Sequence, residues 1–370
     1  MNFKGVLIVC ILFIFTCTTA LKFSIRADYS KTDTDHHSDT EGKMYFPSKI
    51  EKQQSEGGTK TLSNQSVGIY TPFLAMRIEK FGNSIYVKEP TDSQSGGIIK
   101  VLRYNASSNN FEEVAEINST FIMNKFNISG GVTISNFAVV DESKMFICYQ
   151  YYSNDDYHYN ISLVYLSGGN PSIVSTLELP TYEPSWFSPS EMVLYEDALY
   201  LFRYNKSFTL DLVNVSDENN MQFIGSLKLY SWTASVWGGS SLGLARGKVY
   251  DSTLYLVNEE GFLFIVDVSD HFNPSVLSVT PVNSTNSDLV KSGDLLFIAG
   301  GLEGVKILNV SDPVSPKELN TLNDSLKCSM SVEVIDDVLI VADNVFGMYF
   351  LNISDLSNVA SIAHFNACLL

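Results

Sequence analysis

Residues 305–313 read VKILNVSDP. An apolar run ends at Asn309, a Val-Ser-Asp triplet follows, and Pro313 closes the phrase. β-Branched residues running into Asn, Ser, Asp and Pro mark the end of a strand and the start of a reversal. The phrase recurs as LDLVNVSD (210–217), LFIVDVSD (263–270) and MYFLNISD (348–355). Asp267, Asn309 and Asn352 fall about 42 residues apart, and Asn214 precedes Asp267 by about 53. That period matches a propeller blade of four strands.

Working outward, each unit has the same parts. A short turn leads into an apolar strand: Leu254–Val257, Leu295–Ala299 and Leu339–Ala342. A loop that usually closes with Gly follows. Next comes the strand ending in Asn or Asp, then the turn, then a further strand. Two degenerate units at 82–117 and 143–179 bring the count to six. Innermost strands are expected near 73–80, 133–140, 192–195 and 331–335. A blade has two apolar faces, and stacking in a ring buries both. The sequence therefore predicts an all-β fold over 71–370: a single β-propeller of six blades of four antiparallel strands, with seven as the alternative. The last blade draws all its strands from 331–365, so no strand is expected to cross the seam.

The repeated phrase, with Asn273-Pro274 after one copy, resembles the signature of the LVIVD-repeat β-propellers over about 196–365. The resemblance implies a secreted or cell-surface propeller and supplies no catalytic residues. Asn stands where that family has Asp at 214, 309 and 352, and each replacement creates an Asn-X-Ser sequon.

Residues 1–20 read as a signal peptide, with Lys4 before an apolar run and a small-residue end at Ala20. Residues 21–70 read as a flexible polar arm, too poor in aliphatics to offset chain entropy. Asp33, Asp35, His36, His37 and Asp39 in it do not have the spacing of an EF-hand. The expected product is secreted, with no membrane insertion after cleavage. A net charge of −17 argues against nucleic acid as a partner. The pattern implies no cofactor and no metal, and leaves the oligomeric state open.

Three cysteines follow the signal segment. Cys148, in an apolar run, is expected to be a buried thiol. Cys328 and Cys368 flank the last blade and are expected to pair.

In a four-stranded blade, the loops between strands 2 and 3 share one end of the ring with the blade-to-blade connections. The Val/Ile-Ser-Asp turns lie at the other end. All three tryptophans, Trp186, Trp232 and Trp237, fall on the first end, with Tyr152, Tyr157 and Tyr182. Loops on a rigid scaffold carry binding residues, and Trp and Tyr offer rigid area with a polar handle. These six residues are the candidate contacts for a protein or glycan ligand. The competing reading packs them between blades.

Of eleven sequons, Asn118, Asn127, Asn283 and Asn323 lie in connections, and Asn309 lies in the repeat turn. Gly239–Gly243 matches G-x-S-x-G around Ser241, but leads into a strand rather than a helix. The main alternative function is a hydrolase or lyase at the channel mouth. The expected innermost strands hold mainly Val, Ile, Ser and Met, which argues against it.

Overall fold

A computed structural model describes residues 23–26 and 77–369, apart from 90–95, 106, 109, 181–188, 205–206, 232–244, 286, 324–325 and 344–345. Six antiparallel sheets are each built from consecutive strands. Blade 1 comprises β2 (Arg77–Phe81), β3 (Ser84–Glu89), β4 (Ile98–Asn105) and β5 (Asn110–Asn118). Blade 2 comprises β6 (Val132–Asp141), β7 (Lys144–Ser153), β8 (Asp156–Tyr165) and β9 (Ser172–Leu179). Blade 3 comprises β10 (Glu191–Tyr195), β11 (Ala198–Tyr204), β12 (Ser207–Asn214) and β13 (Gln222–Ser231). Blade 4 comprises β14 (Ala245–Tyr250), β15 (Thr253–Asn258), β16 (Phe262–Asp267) and β17 (Ser275–Pro281). Blade 5 comprises β18 (Asp288–Ser292), β19 (Leu295–Ala299), β20 (Val305–Asn309) and β21 (Lys317–Leu322). Blade 6 comprises β22 (Ser329–Ile335), β23 (Val338–Asp343), β24 (Gly347–Asn352) and β25 (Ala360–Leu369). The fold is the six-bladed propeller that the repeat predicts.

One strand was not anticipated. β1 (Phe23–Arg26), inside the segment read as an arm, pairs antiparallel with β25, Ser24 opposite Cys368. Blade 6 thus has a fifth strand from the N-terminal side of the chain.

The repeated phrase works through paired turns. Asn214, Asp267, Asn309 and Asn352 each accept, through Oδ1, the N–H of the Ser two residues on, at 2.9–3.0 Å. The intervening Val or Ile N–H donates to the carbonyl of Asp197, Ser252, Asp294 or Asp337, at 2.8–2.9 Å. The following Asp caps the next turn through its own side chain. Asn and Asp serve equally because the amide and carboxylate oxygens occupy the same place. The repeat glycines have an equally local cause. Gly304 has φ +79, and a Cβ there would run into the Leu322 carbonyl.

Between the blades lie separate apolar clusters. Tyr86, Ile99, Ile134 and Phe137 join blades 1 and 2. Phe202, Phe208 and Phe264 join blades 3 and 4, with Phe208 and Phe264 centroids 5.5 Å apart. Each fully buried aromatic contributes about 1.5–3 kcal/mol of apolar transfer. A short helix, α1 (Ser119–Phe126), fills the connection from blade 1 to blade 2. The sequence pattern did not reveal it, because eight residues are too few for a helical period to emerge.

Candidate functional site

The loop-rich end of the ring carries two groupings. The first is the β7–β8 hairpin. Tyr151 is its last residue opposite β6, and Tyr159 its last opposite β9. The six residues 152–157 therefore extend beyond both neighbouring strands. By composition QYYSNDDYHYN (150–160) reads as a polar, irregular loop between strands 2 and 3 of the second blade. It is strand almost throughout, closed by Asn154 and Asp155 at φ 53 and 64. Positive φ at both central residues is the type I′ geometry that matches strand twist.

Tyr152, 50 % exposed, meets Tyr157 edge-on with centroids 5.0 Å apart. One rung down, Tyr151 stacks on His158 at 4.9 Å. His158 Nδ1 lies 2.7 Å from Glu178 Oε1, and that hydrogen bond raises the imidazole pKa above its ordinary value. The rung fixes the hairpin's base and leaves its tip presented to solvent.

The second grouping lines the channel mouth. Arg77 opens β2 and sits opposite Lys88 on β3. The Arg77 Nη1 group donates to Asn136 Oδ1 at 2.7 Å and to Glu191 Oε1, while Nη2 donates to Glu79 and to the Met192 carbonyl. With Nε on Glu79 at 3.0 Å, all five donors are used. Arg246 on β14 meets the other Glu191 oxygen at 3.2 Å. Glu191 is thus a buried acceptor shared by blades 1 and 4.

Lys88 is buried near these guanidinium groups. Burial, then Arg246 and Arg77, push its pKa down to about 8. On the far side of the channel, Lys248 Nζ lies 3.5 Å from Asp288 Oδ1. Asp288 also accepts from Ser331 Oγ and the Val332 N–H. Glu333 lies in the field of Lys248 and Asp288, and burial raises its pKa.

This corrects the expectation of innermost strands holding mainly Val, Ile, Ser and Met. Charged residues open β2, β10 and β18, where pairing across the narrow ring compensates their burial. The signal is present in the sequence at SEMVLY, LARGKVY and SDLVKS, but these charges gain meaning only when the strands meet around the channel.

Of the six predicted ligand contacts, Tyr152 and Tyr157 come together. Tyr182, Trp186, Trp232 and Trp237 lie outside the described residues, as does Ser241. Asn118 is the N-cap of α1, accepting from the Phe121 N–H, and Asn127 is its exposed left-handed C-cap. Asn283 and Asn323 are exposed, while Asn309 is half-buried with its Oδ1 engaged in the turn. Cys148 is a free, fully buried thiol with its pKa pushed up to about 11 by burial.

Cys328 precedes β22, and its N–H donates to Asp343 Oδ2 at 2.8 Å. Cys368 lies on β25, its side chain outside the described residues. Three strand spacings put β22 and β25 about 14 Å apart. A disulfide spans roughly 4.4–6.8 Å between Cα atoms. The predicted bridge therefore requires the chain ends to bend toward each other across the blade.

No family model matches the sequence, and no curated protein matches it. Solved structures do match in shape. A protein from Bacteroides fragilis described as a "putative 6-phosphogluconolactonase" aligns over 78% of this chain and 82% of its own, with TM-score 0.55 and 10% identity. Saccharomyces cerevisiae Sqt1 aligns over 83% and 79%, with TM-score 0.53 and 10% identity. At such identities the likeness is of fold alone.

Proposed function

We propose that this is a secreted, glycosylated propeller of the LVIVD-repeat kind, acting as an interaction module. Its loop-rich end would recognise a protein or a glycan. The observation that carries this reading is the β7–β8 hairpin. It carries Tyr152 half exposed beyond both neighbouring strands, supported edge-on by Tyr157, which itself packs in part against the cluster between blades 2 and 3. Trp186, Trp232 and Trp237 are expected on the same end, where they would extend the surface that Tyr152 begins. The test is a glycan and extracellular-protein array probed with the purified chain and with Tyr152→Ala. A hit lost in the variant supports the reading; hits indifferent to the hairpin oppose it.

A second reading, a hydrolase or lyase at the channel mouth, draws on Glu333. It is a carboxyl of raised pKa beside an Asp288 whose oxygens are held by Lys248, Ser331 and backbone N–H groups. Two carboxyls in such different environments are what acid–base chemistry uses. An ester and glycoside hydrolysis screen, with Glu333→Gln as comparison, tests it.

A further inference from the structure

We propose that Asn214, Asn309 and Asn352, in the repeat turns of blades 3, 5 and 6, carry N-linked oligosaccharides, and that the sequon at Asn160 stays bare in the folded chain. The inference rests on the secreted reading above and names the sites of modification on the turn end of the ring.

The copies of the repeat turn make the first comparison. In each, the Asn or Asp Oδ1 accepts the N–H of the Ser two residues on. Asp267 does this with a carboxylate, so the turn by itself gives no reason for Asn in the other three. What Asn adds is the amide nitrogen, the atom to which a glycan is attached. The Ser N–H holds Oδ1, and at Asn309 the Ser311 hydroxyl donates to it as well, at 2.7 Å. Among the described residues, the Nδ2 groups of Asn214, Asn309 and Asn352 make no hydrogen bond. Ser216, Ser311 and Ser354 are exposed, so the hydroxyl that completes each sequon is accessible. Val215 and Val310, between the two, are buried and anchor the turn.

Other sequons differ in these respects. Asn105 makes the same turn with Ser107 but commits Nδ2 to Glu112 Oε1 at 2.7 Å, and Asn118 commits its own to Glu116 at 2.7 Å. Asn160 lies on β8, 6% exposed with its Nδ2 buried, and Ser162 is fully buried. Packed strands leave no room for a sugar there.

The turn spans three consecutive residues, so it can form in the nascent chain before the ring closes. In the transfer, Nδ2 attacks the anomeric carbon of an oligosaccharide carried on a polyprenyl pyrophosphate. The C–N bond forms as the C–O bond to pyrophosphate breaks. The pyrophosphate leaves with the electron pair, and the amide gives one proton to the transferase. All three sites lie on the turn end, so bulky, hydrated sugar coats that end and keeps partners from its surface.

The experiment is peptide mapping of the full chain made in a glycosylating eukaryotic host. Peptide N-glycosidase in heavy-oxygen water converts each occupied Asn to a labelled Asp. Label is expected at positions 214, 309 and 352 and absent at 160. Combining Ser216→Ala, Ser311→Ala and Ser354→Ala should remove the label at all three while keeping the backbone N–H that closes each turn. Should that variant fail to fold, the wild-type map decides alone. In a chain recovered from the medium, or labelled at any other sequon, an unlabelled site among the three overturns the proposal and leaves the secreted reading standing, as does label at 160. A chain retained in the cell and unlabelled throughout overturns both.

Discussion

The Arg77 guanidinium on the innermost strand of blade 1 donates to the Glu191 carboxylate on the innermost strand of blade 3, past the intervening β6. The contact ties together blades that share no sheet. Glu191 is 1% exposed, and its removal takes from the buried Arg77 guanidinium one of its two carboxylate partners and from Arg246 the other oxygen.

Glu191→Ala should therefore cost about 3–5 kcal/mol of stability. Glu191→Gln should cost less, since it keeps an acceptor for Arg77. Urea unfolding followed by circular dichroism measures both. An alanine variant within about 1 kcal/mol of wild type would remove the strut from the account.

The repeat turn yields a substitution series at one position. Asn309→Asp keeps the Oδ1 acceptor for the Ser311 N–H and abolishes the sequon. Its stability in unglycosylated protein should match wild type. Asn309→Ala should lose about 1 kcal/mol, the usual worth of a side chain that satisfies a turn N–H. In protein from a glycosylating host, any extra difference between wild type and Asn309→Asp belongs to a glycan.

This series also shows why the fold was legible. The phrase around Asn309 encodes its turn locally, in an acceptor, a Ser and an Asp, and the code repeats at a blade's period. The channel mouth has no such local code. Arg77, Glu191 and Arg246 are scattered in sequence and gain meaning only when the ring closes. Tyr152 and Tyr157 stand out in the sequence as surface candidates, but the hairpin that carries them does not. Its polar, aromatic-rich run hid the alternation that continues to Ser153 and resumes at Asp156.

Lys88 gives a pH signature. Its folded pKa of about 8 lies below the ordinary lysine value near 10.4. Below pH 8 both states hold the proton, and the folded state bears the full cost of the buried charge. Between about pH 8 and the unfolded pKa the unfolded chain binds more protons, so stability rises with pH. The contribution is on the order of 3 kcal/mol at its ceiling. Tyr86, Tyr149 and Tyr159, with pKa values raised by burial to about 12, act in the opposite sense above pH 10, where the unfolded chain ionises first. The window to read is thus about pH 8–9.5. Lys88→Met should be more stable than wild type at pH 7 and should lose that slope. Equal slopes would place the Lys88 pKa at its ordinary value.

Recognition through the hairpin end is measured most directly by the ligand array run with wild type, Tyr152→Ala, Tyr152→Ala with Tyr157→Ala, and Asp312→Ala in the turns of the opposite end. The expected result is a reproducible protein or glycan hit that Tyr152→Ala, alone or with Tyr157→Ala, abolishes, that Tyr152→Ala loses without loss of thermal stability, and that Asp312→Ala leaves intact. A hit that survives in the tyrosine variants but disappears in Asp312→Ala would contradict it, placing recognition on the wrong end of the ring.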